Sequence, residues 1–228
     1  MVGSESDALF SFNLLGAHIY IESSIVVQWV IIAVLAIVSI LLTRNLKKHP
    51  DRRQSALEVF YNTIANLVKE TMGEGFMAFV PFIGTIVLFI LIMNIVPLLG
   101  IPSPTEKLSV TVGMAAITFL VVQGYAIKKV GLLGYFKGFF HPLPLIFPLN
   151  IIERCMLPVS LSLRLFGNIA AGTVIMDIVY KGLLGVAAPL GIGLPIPFHL
   201  YFDLFDGAIQ MVIFTMLTMV NIKIVSEH

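Results

Sequence analysis

Three long stretches of this chain, Ser24–Thr43, Gly75–Thr105 and Leu108–Ile127, contain no Asp, Glu, Lys, Arg or His. About 20 apolar residues in a helix cross a hydrocarbon core roughly 30 Å thick. In lipid the backbone must satisfy its own hydrogen bonds, and a continuous apolar run does so as a helix. The chain is 58% hydrophobic and 12% charged, against about 25% charged in an ordinary soluble domain. These features predict an all-α integral membrane protein. The net charge of +1 gives no reason to expect nucleic acid as a partner. Cys155 is the single cysteine, so no internal disulfide can form, and its apolar surroundings suggest a small core residue.

The cations set the expected topology. Ser24–Thr43 is followed by Arg44, Lys47, Lys48, Arg52 and Arg53, whereas Glu5, Asp7 and Glu22 precede it with no Lys or Arg. By the positive-inside rule the amino terminus lies outside and the basic loop in the cytoplasm. That terminus lacks the basic start of a signal peptide, so the first apolar run is expected to be retained as a span. Residues 54–72 place Leu57, Phe60, Tyr61, Ile64, Leu67, Val68 and Met72 on one helical face. They are too polar to span and are expected along the cytoplasmic membrane surface. The chain reads as a single membrane domain, 1–228, with an outer segment over 1–23. Spans are expected over 24–43, 78–100 and 108–128, the last ending at the cytoplasmic Lys128, Lys129 and Lys137. A turn covers PSPTEK at 102–107, and two long helices, 149–181 and 196–225, form a tilted hairpin. The total is about five membrane helices plus one amphipathic surface helix, with the carboxyl terminus in the cytoplasm.

The last ninety or so residues hold the informative polar groups. Arg164 has no acidic residue within ten positions on either side. A guanidinium stays charged at any physiological pH and is costly in a bilayer. It requires a partner, a water-filled cavity, or both. Ser160, Arg164 and Asn168 share one helical face. The adjacent Gly167, Ala170, Ala171 and Gly172 are small enough for another helix to approach closely. On the last helix His199, Asp203, Asp206 and Gln210 follow at i, i+4, i+7 and i+11, an α-helical polar stripe that suggests a hydrated path. Asp177, near the end of the preceding helix, is a candidate to join it. An internal ion pair of Arg164 with Asp203 or Asp206 is the alternative at this point, as in a self-contained secondary transporter. Glu153 and Arg154 read as solvated residues near the interface, and His199, near Pro197, is as consistent with a turn as with a channel. No GxxxxGK[ST], HExxH or GxSxG motif points to catalysis by this chain.

The run PVSLSLRLFGNIAAG at 158–172 closely resembles the signature of subunit a of F-type ATP synthases. MNIVPLLG at 93–100, PSPTEKLSVTVGMA at 102–115 and a final helix with Gln210 extend the resemblance, in order, over about 20–225. It implies a stator channel beside a rotating c-ring, passing protons through two offset half-channels, with no catalysis and no cofactor or metal of its own. The implied partners are the c-ring of small hairpin subunits, b-type peripheral stalk subunits and the lipid bilayer. The implied location is an energy-coupling membrane, the plasma (inner) membrane of a bacterium. The coupling ion is the proton by default, with sodium open.

The resemblance also assigns residues. Arg164 matches the arginine that faces the c-subunit carboxylate, so its partner would come from another chain. Asn168 lies one turn away, Gln210 opposite on the last helix, and Gly167, Ala171 and Gly172 pack on the ring. Asp203, with Asp206, His199 and Asp177, would line the outer half-channel. Two departures matter. Thr173 stands where relatives often carry Glu or His, and Asn150 stands where many carry glutamate, with Glu153 one turn on.

Overall fold

A computed structural model describes residues 8–14, 17–44, 46–47, 51–101, 103–140, 144–184 and 195–227. The side chains of 8–21, 144, 183–184, 203 and 227 fall outside that description. From Ser23 onward every described element is helical. Before it, β1 (Ala8–Leu14) and β2 (Ala17–Glu22) form an antiparallel ribbon pairing Leu14 with Ala17 and Phe12 with Ile19. The outer segment expected over 1–23 thus holds a ribbon. Its sequence signal was present, because Phe10, Phe12, Ile19 and Ile21 alternate with Ser11, Asn13, His18 and Tyr20.

Among the described residues five helices are long and apolar enough to cross a membrane: Ser23–Thr43, Glu74–Leu99, Leu108–Val130, Phe147–Gly182 and Pro195–Ser226. The first is α1 (Ser23–Thr43). The second opens as a tight 3₁₀ turn, Glu74–Phe79, and continues as α3 (Val80–Ile95). α4 (Leu108–Val130) ends at Gly131, whose φ of 80° is reached cheaply only without a Cβ. A short α5 (Leu132–Gly138), absent from the sequence reading, follows directly. α6 (Phe147–Leu184) runs through Pro158, which has no N–H to give the Arg154 carbonyl. The helix starts two residues before the expected 149, so that Pro148 lies in its first turn, where a missing N–H costs no hydrogen bond. The last span comprises α7 (Pro195–His199), a π-helical segment over Leu200–Asp206, and α8 (Gly207–Glu227).

α2 (Arg52–Thr71) departs from a simple surface helix. Ile64, Ala65, Val68 and Met72 are buried against Phe76, Ile83, Val122, Met219 and Ile222, whereas Tyr61 of the expected apolar face is exposed. Its stripe is therefore taken up largely by protein. Lys223 Nζ donates to the Thr71 carbonyl at 3.4 Å, where the carbonyl end of a helix favours a cation. Lys129 Nζ lies 3.5 Å from Ser226 Oγ and 5.2 Å above the Phe76 ring. These contacts gather the ends of α2, α4 and α8 at one basic pole.

A second core joins Leu161 and Leu165 of α6 to Ile90, Ala115 and Phe214. It fixes the turn that carries Arg164 against α3, α4 and α8. α6 and the last span touch one another, and both also pack on α4. α1 is peripheral: Ile31 reaches Met93, Val96 and Val110, while Trp29, Ile37, Ile40 and Leu41 are exposed as lipid-facing side chains would be. The PSPTEK turn is more than a surface link. Thr105 is wholly buried, its hydroxyl 2.7 Å from that of Ser103, and Pro104–Glu106 contacts α6. Beside it Lys107 Nζ lies 3.6 Å from Glu22 Oε2.

Candidate functional site: the Arg164 surface and its cavity

Arg164 is half-buried between two unlike surfaces of α6. On one side Leu161 and Leu165 enter the core. On the other, Leu163, Gly167, Ala171, Val174 and Ile178 form an exposed apolar face with a flat, small-residue centre. Among the described residues no hydrogen bond or ion pair engages the Arg164 side chain, and Asp206 makes none with it. Asn168 is half-buried one turn further along. Gly172 has a different setting from Gly167 and Ala171. It is buried, and a Cβ there would meet Phe202 at 3.5 Å. Its smallness serves contact within this chain, on the π-helical segment.

Toward the basic pole Arg164 borders a cavity of about 440 Å³, whose polar lining is Asn150, Glu153, Arg154, Ser160, Arg164 and Asn221. Leu217 and Ile224 of α8 supply part of the apolar wall. Asn150 Nδ2 donates to the Phe139 carbonyl at 2.9 Å, tying α6 to the end of α5. Glu153 is exposed, whereas Arg154 is half-buried with its Cζ 4.8 Å from the Tyr135 ring centroid and 4.4 Å from that of Phe139. Arg154 is thus a cavity residue rather than a solvated interface residue. Cys155, read from sequence as core, is exposed, because it falls on the outer face of α6.

The opposite pole carries the remaining polar groups. His199 Nε2 lies 2.9 Å from Tyr180 Oη and joins α7 to α6. Asp177 is exposed and paired with Lys181 at 3.3 Å, one turn along its own helix. Asp206 is half-buried, and the side chain of Asp203 lies outside the described residues. The even α-helical stripe expected from His199 to Gln210 is interrupted. The π-helical segment over Leu200–Asp206 widens the turn and shifts the register of everything after it. Such segments recur at functional positions.

Gln210 follows the wide turn and is buried, its Oε1 shielded from solvent with no hydrogen-bond partner among the described residues. Asn94 lies in the same layer. Its Nδ2 donates to the Gly207 carbonyl at 2.8 Å, and its Oδ1 is likewise buried and unpartnered. As a lone amide inside a charge-free span, Asn94 is legible in sequence as a candidate helix-to-helix contact. Tyr180 and Asn221 carried no such signal, since only the packing of α6 on the last span brings them to a polar site. No group of His, Cys, Asp and Glu suited to a metal ion occurs among the described residues.

Residues 25–223 match the family model described as ATP synthase A chain. The chain belongs to the ATP synthase A chain family. It is 37% identical over 216 residues to the ATP synthase subunit a, sodium ion specific, of Propionigenium modestum, covering 88% of this chain and 72% of that protein. Over 205 residues it is 37% identical to the ATP synthase subunit a of Moorella thermoacetica, covering 89% of each. A 34% match over 203 residues links it to an ATP synthase subunit a of a Bradyrhizobium strain. Membership in the ATP synthase A chain family makes the chain a multi-pass membrane subunit of the ion-translocating F0 sector. The catalytic subunits of that complex are elsewhere.

Proposed function

We propose that Arg164 meets a carboxylate supplied by a c-ring subunit, and that two offset half-channels lead ions to and from that meeting point. The observation that carries this reading is the Arg164 setting. A permanent cation borders a cavity and a flat exposed helix face, with no carboxylate paired to it among the described residues. A transporter with an internal Arg–Asp pair would bring Asp203 or Asp206 to that place; Asp206 makes no such pair, and the Asp203 side chain lies outside the described residues.

The cavity at the basic pole serves as one half-channel. Lys128, Lys129 and Lys137 lie at that pole or just beyond it in sequence, so the positive-inside rule assigns it to the cytoplasm. The amino terminus then faces outward and the end of α8 inward, in the plasma membrane of a bacterium. The other half-channel enters past His199, Asp203 and Asp206 and reaches the layer of Gln210. Carboxylates and histidine exchange protons near neutrality with modest help from burial, whereas a guanidinium does not. The acids therefore carry the ion, and Arg164 releases it from the c-ring carboxylate and blocks a direct leak. Each charge moved through 100 mV contributes about 2.3 kcal/mol, so several must be summed for each ATP. Gly167 and Ala171 give the ring a close contact, and b-type stalk subunits hold the chain against rotation.

The proton is the proposed coupling ion. The complete complex, isolated in mild detergent through this chain and returned to vesicles, should bring down a ring of small hairpin proteins and acidify the vesicle interior on ATP addition without sodium. Sodium uptake with no acidification would reassign the ion. Neither flux, with no ring recovered, overturns the reading.

A further inference from the structure

Arg154 is held in an unusual way for a cation beside a membrane cavity. The faces of Tyr135 and Phe139 lie 4.8 and 4.4 Å from its Cζ, and the two rings are set edge to face at 86° with centroids 5.2 Å apart. The cage is itself anchored. Tyr135 Oη donates to Gln123 Oε1 at 2.7 Å, and the Phe139 carbonyl accepts from Asn150 at 2.9 Å. Arg154 Nη1 is shut off from solvent with no hydrogen-bond partner among the described residues. No carboxylate there lies within ion-pair distance of the side chain.

Aromatic faces stabilise a cation through their quadrupoles. They carry no net charge, so unlike a salt bridge they hold the guanidinium without cancelling its field. Among the described residues the cavity is thus lined by two fixed cations, Arg154 and Arg164, against one carboxylate, Glu153. Its net lining charge is positive by one. In a narrow cavity with low-dielectric walls, such an excess raises the local concentration of anions and lowers that of cations.

We propose that the cavity is an anion-attracting vestibule and that Arg154 is its specificity-determining residue, disfavouring sodium and potassium ions on the approach to Arg164. Only the consequence for ion release rests on the half-channel reading. The potential itself is a property of this chain's own residues.

The test is charge-selective labelling in the complete complex in native membranes, with Cys155→Ser as background. Ser160→Cys and, separately, Asn221→Cys place a thiol on the cavity wall. Each is reacted with sulfonatoethyl and with trimethylammonioethyl methanethiosulfonate, and the rates are divided by those for a small free thiol. The anionic reagent should react faster at both positions, and added salt should narrow the gap. Ser160 stands about 9 Å along the helix from Arg154, at about 1.5 Å per residue. At that distance in water-like surroundings, Arg154→Gln should lower the anion-to-cation rate ratio by about fivefold, and Arg154→Lys should keep it. A ratio at or below one with Arg154 in place overturns the proposal without needing any Arg154 variant. So does a ratio that Arg154→Gln leaves unchanged. Ring rotation enters none of these readouts, so their failure leaves the c-ring reading standing, and failure of that reading leaves them interpretable.

Discussion

Asn94 and Gly207 hold α3 against the start of α8: the Asn94 amide donates to the Gly207 carbonyl at 2.8 Å, and a Cβ on Gly207 would approach the Asn94 Cβ to 2.8 Å. The contact comes directly after the π-helical segment and three residues before Gln210. The two residues thereby fix the register at which the wide turn gives way to regular helix.

Gly207→Ala should therefore destabilise the packing of α8 on α3 by about 1–3 kcal/mol, as overpacking of a tight interior does. Asn94→Ala loses one hydrogen bond and should cost about 0.5–1.5 kcal/mol. Thermal unfolding of the complex in detergent, followed through this subunit, checks the order. An Asn94→Ala variant less stable than Gly207→Ala would place the main role in the bond rather than the close approach.

The acidic residues at the pole away from the lysine cluster should differ in effect. Asp206 is half-buried, whereas Asp177 is exposed and paired with Lys181. Asp206→Asn should slow ATP-driven proton uptake by vesicles several-fold, while Asp177→Asn should leave it within about twofold, as expected for an exposed pair worth about 0–1 kcal/mol. Asp203→Asn should slow uptake more than Asn168→Ala. Equal and negligible effects of Asp203→Asn and Asp206→Asn would remove the last span from the ion path.

Gly167 and Gly172 were equivalent small residues in sequence, yet only Gly167 and Ala171 remain exposed. Cysteines at 167 and 171 should form disulfides with cysteines near the c-subunit carboxylate, which requires Cα atoms about 4.4–6.8 Å apart. Gly172→Cys, facing Phe202, should not crosslink. Strong crosslinking at 172 together with none at 167 and 171 would put the ring on another face of α6.

Much of this fold was legible because membrane physics writes itself into sequence. The charge-free runs around Ile31, Ile90 and Val122 marked helices, and Arg164 drew attention simply by being an isolated cation. What escaped depended on contacts between distant segments. α5 is short and carries no stripe of its own, so its value as the cage for Arg154 emerges only when Asn150 and Gln123 anchor it. The π-helical segment could not be read from residue spacing that assumes a regular α-helix, so His199 and Gln210 appeared to share one stripe. Thr105 and Ser103 looked like loop residues, although packing on α6 buries them. For α2, amphipathicity correctly signalled a helix, but it does not distinguish lipid from protein as the apolar neighbour of Val68.

The most direct measurement is ATP-driven proton pumping by vesicles carrying the complex with Arg164→Ala, alongside a check that ring and stator still assemble. Pumping should be abolished in assembled complexes, because the c-ring carboxylate no longer meets a fixed cation that releases its ion and blocks the leak. Coupled pumping retained at a rate close to that of the unchanged complex would contradict the central role given to Arg164.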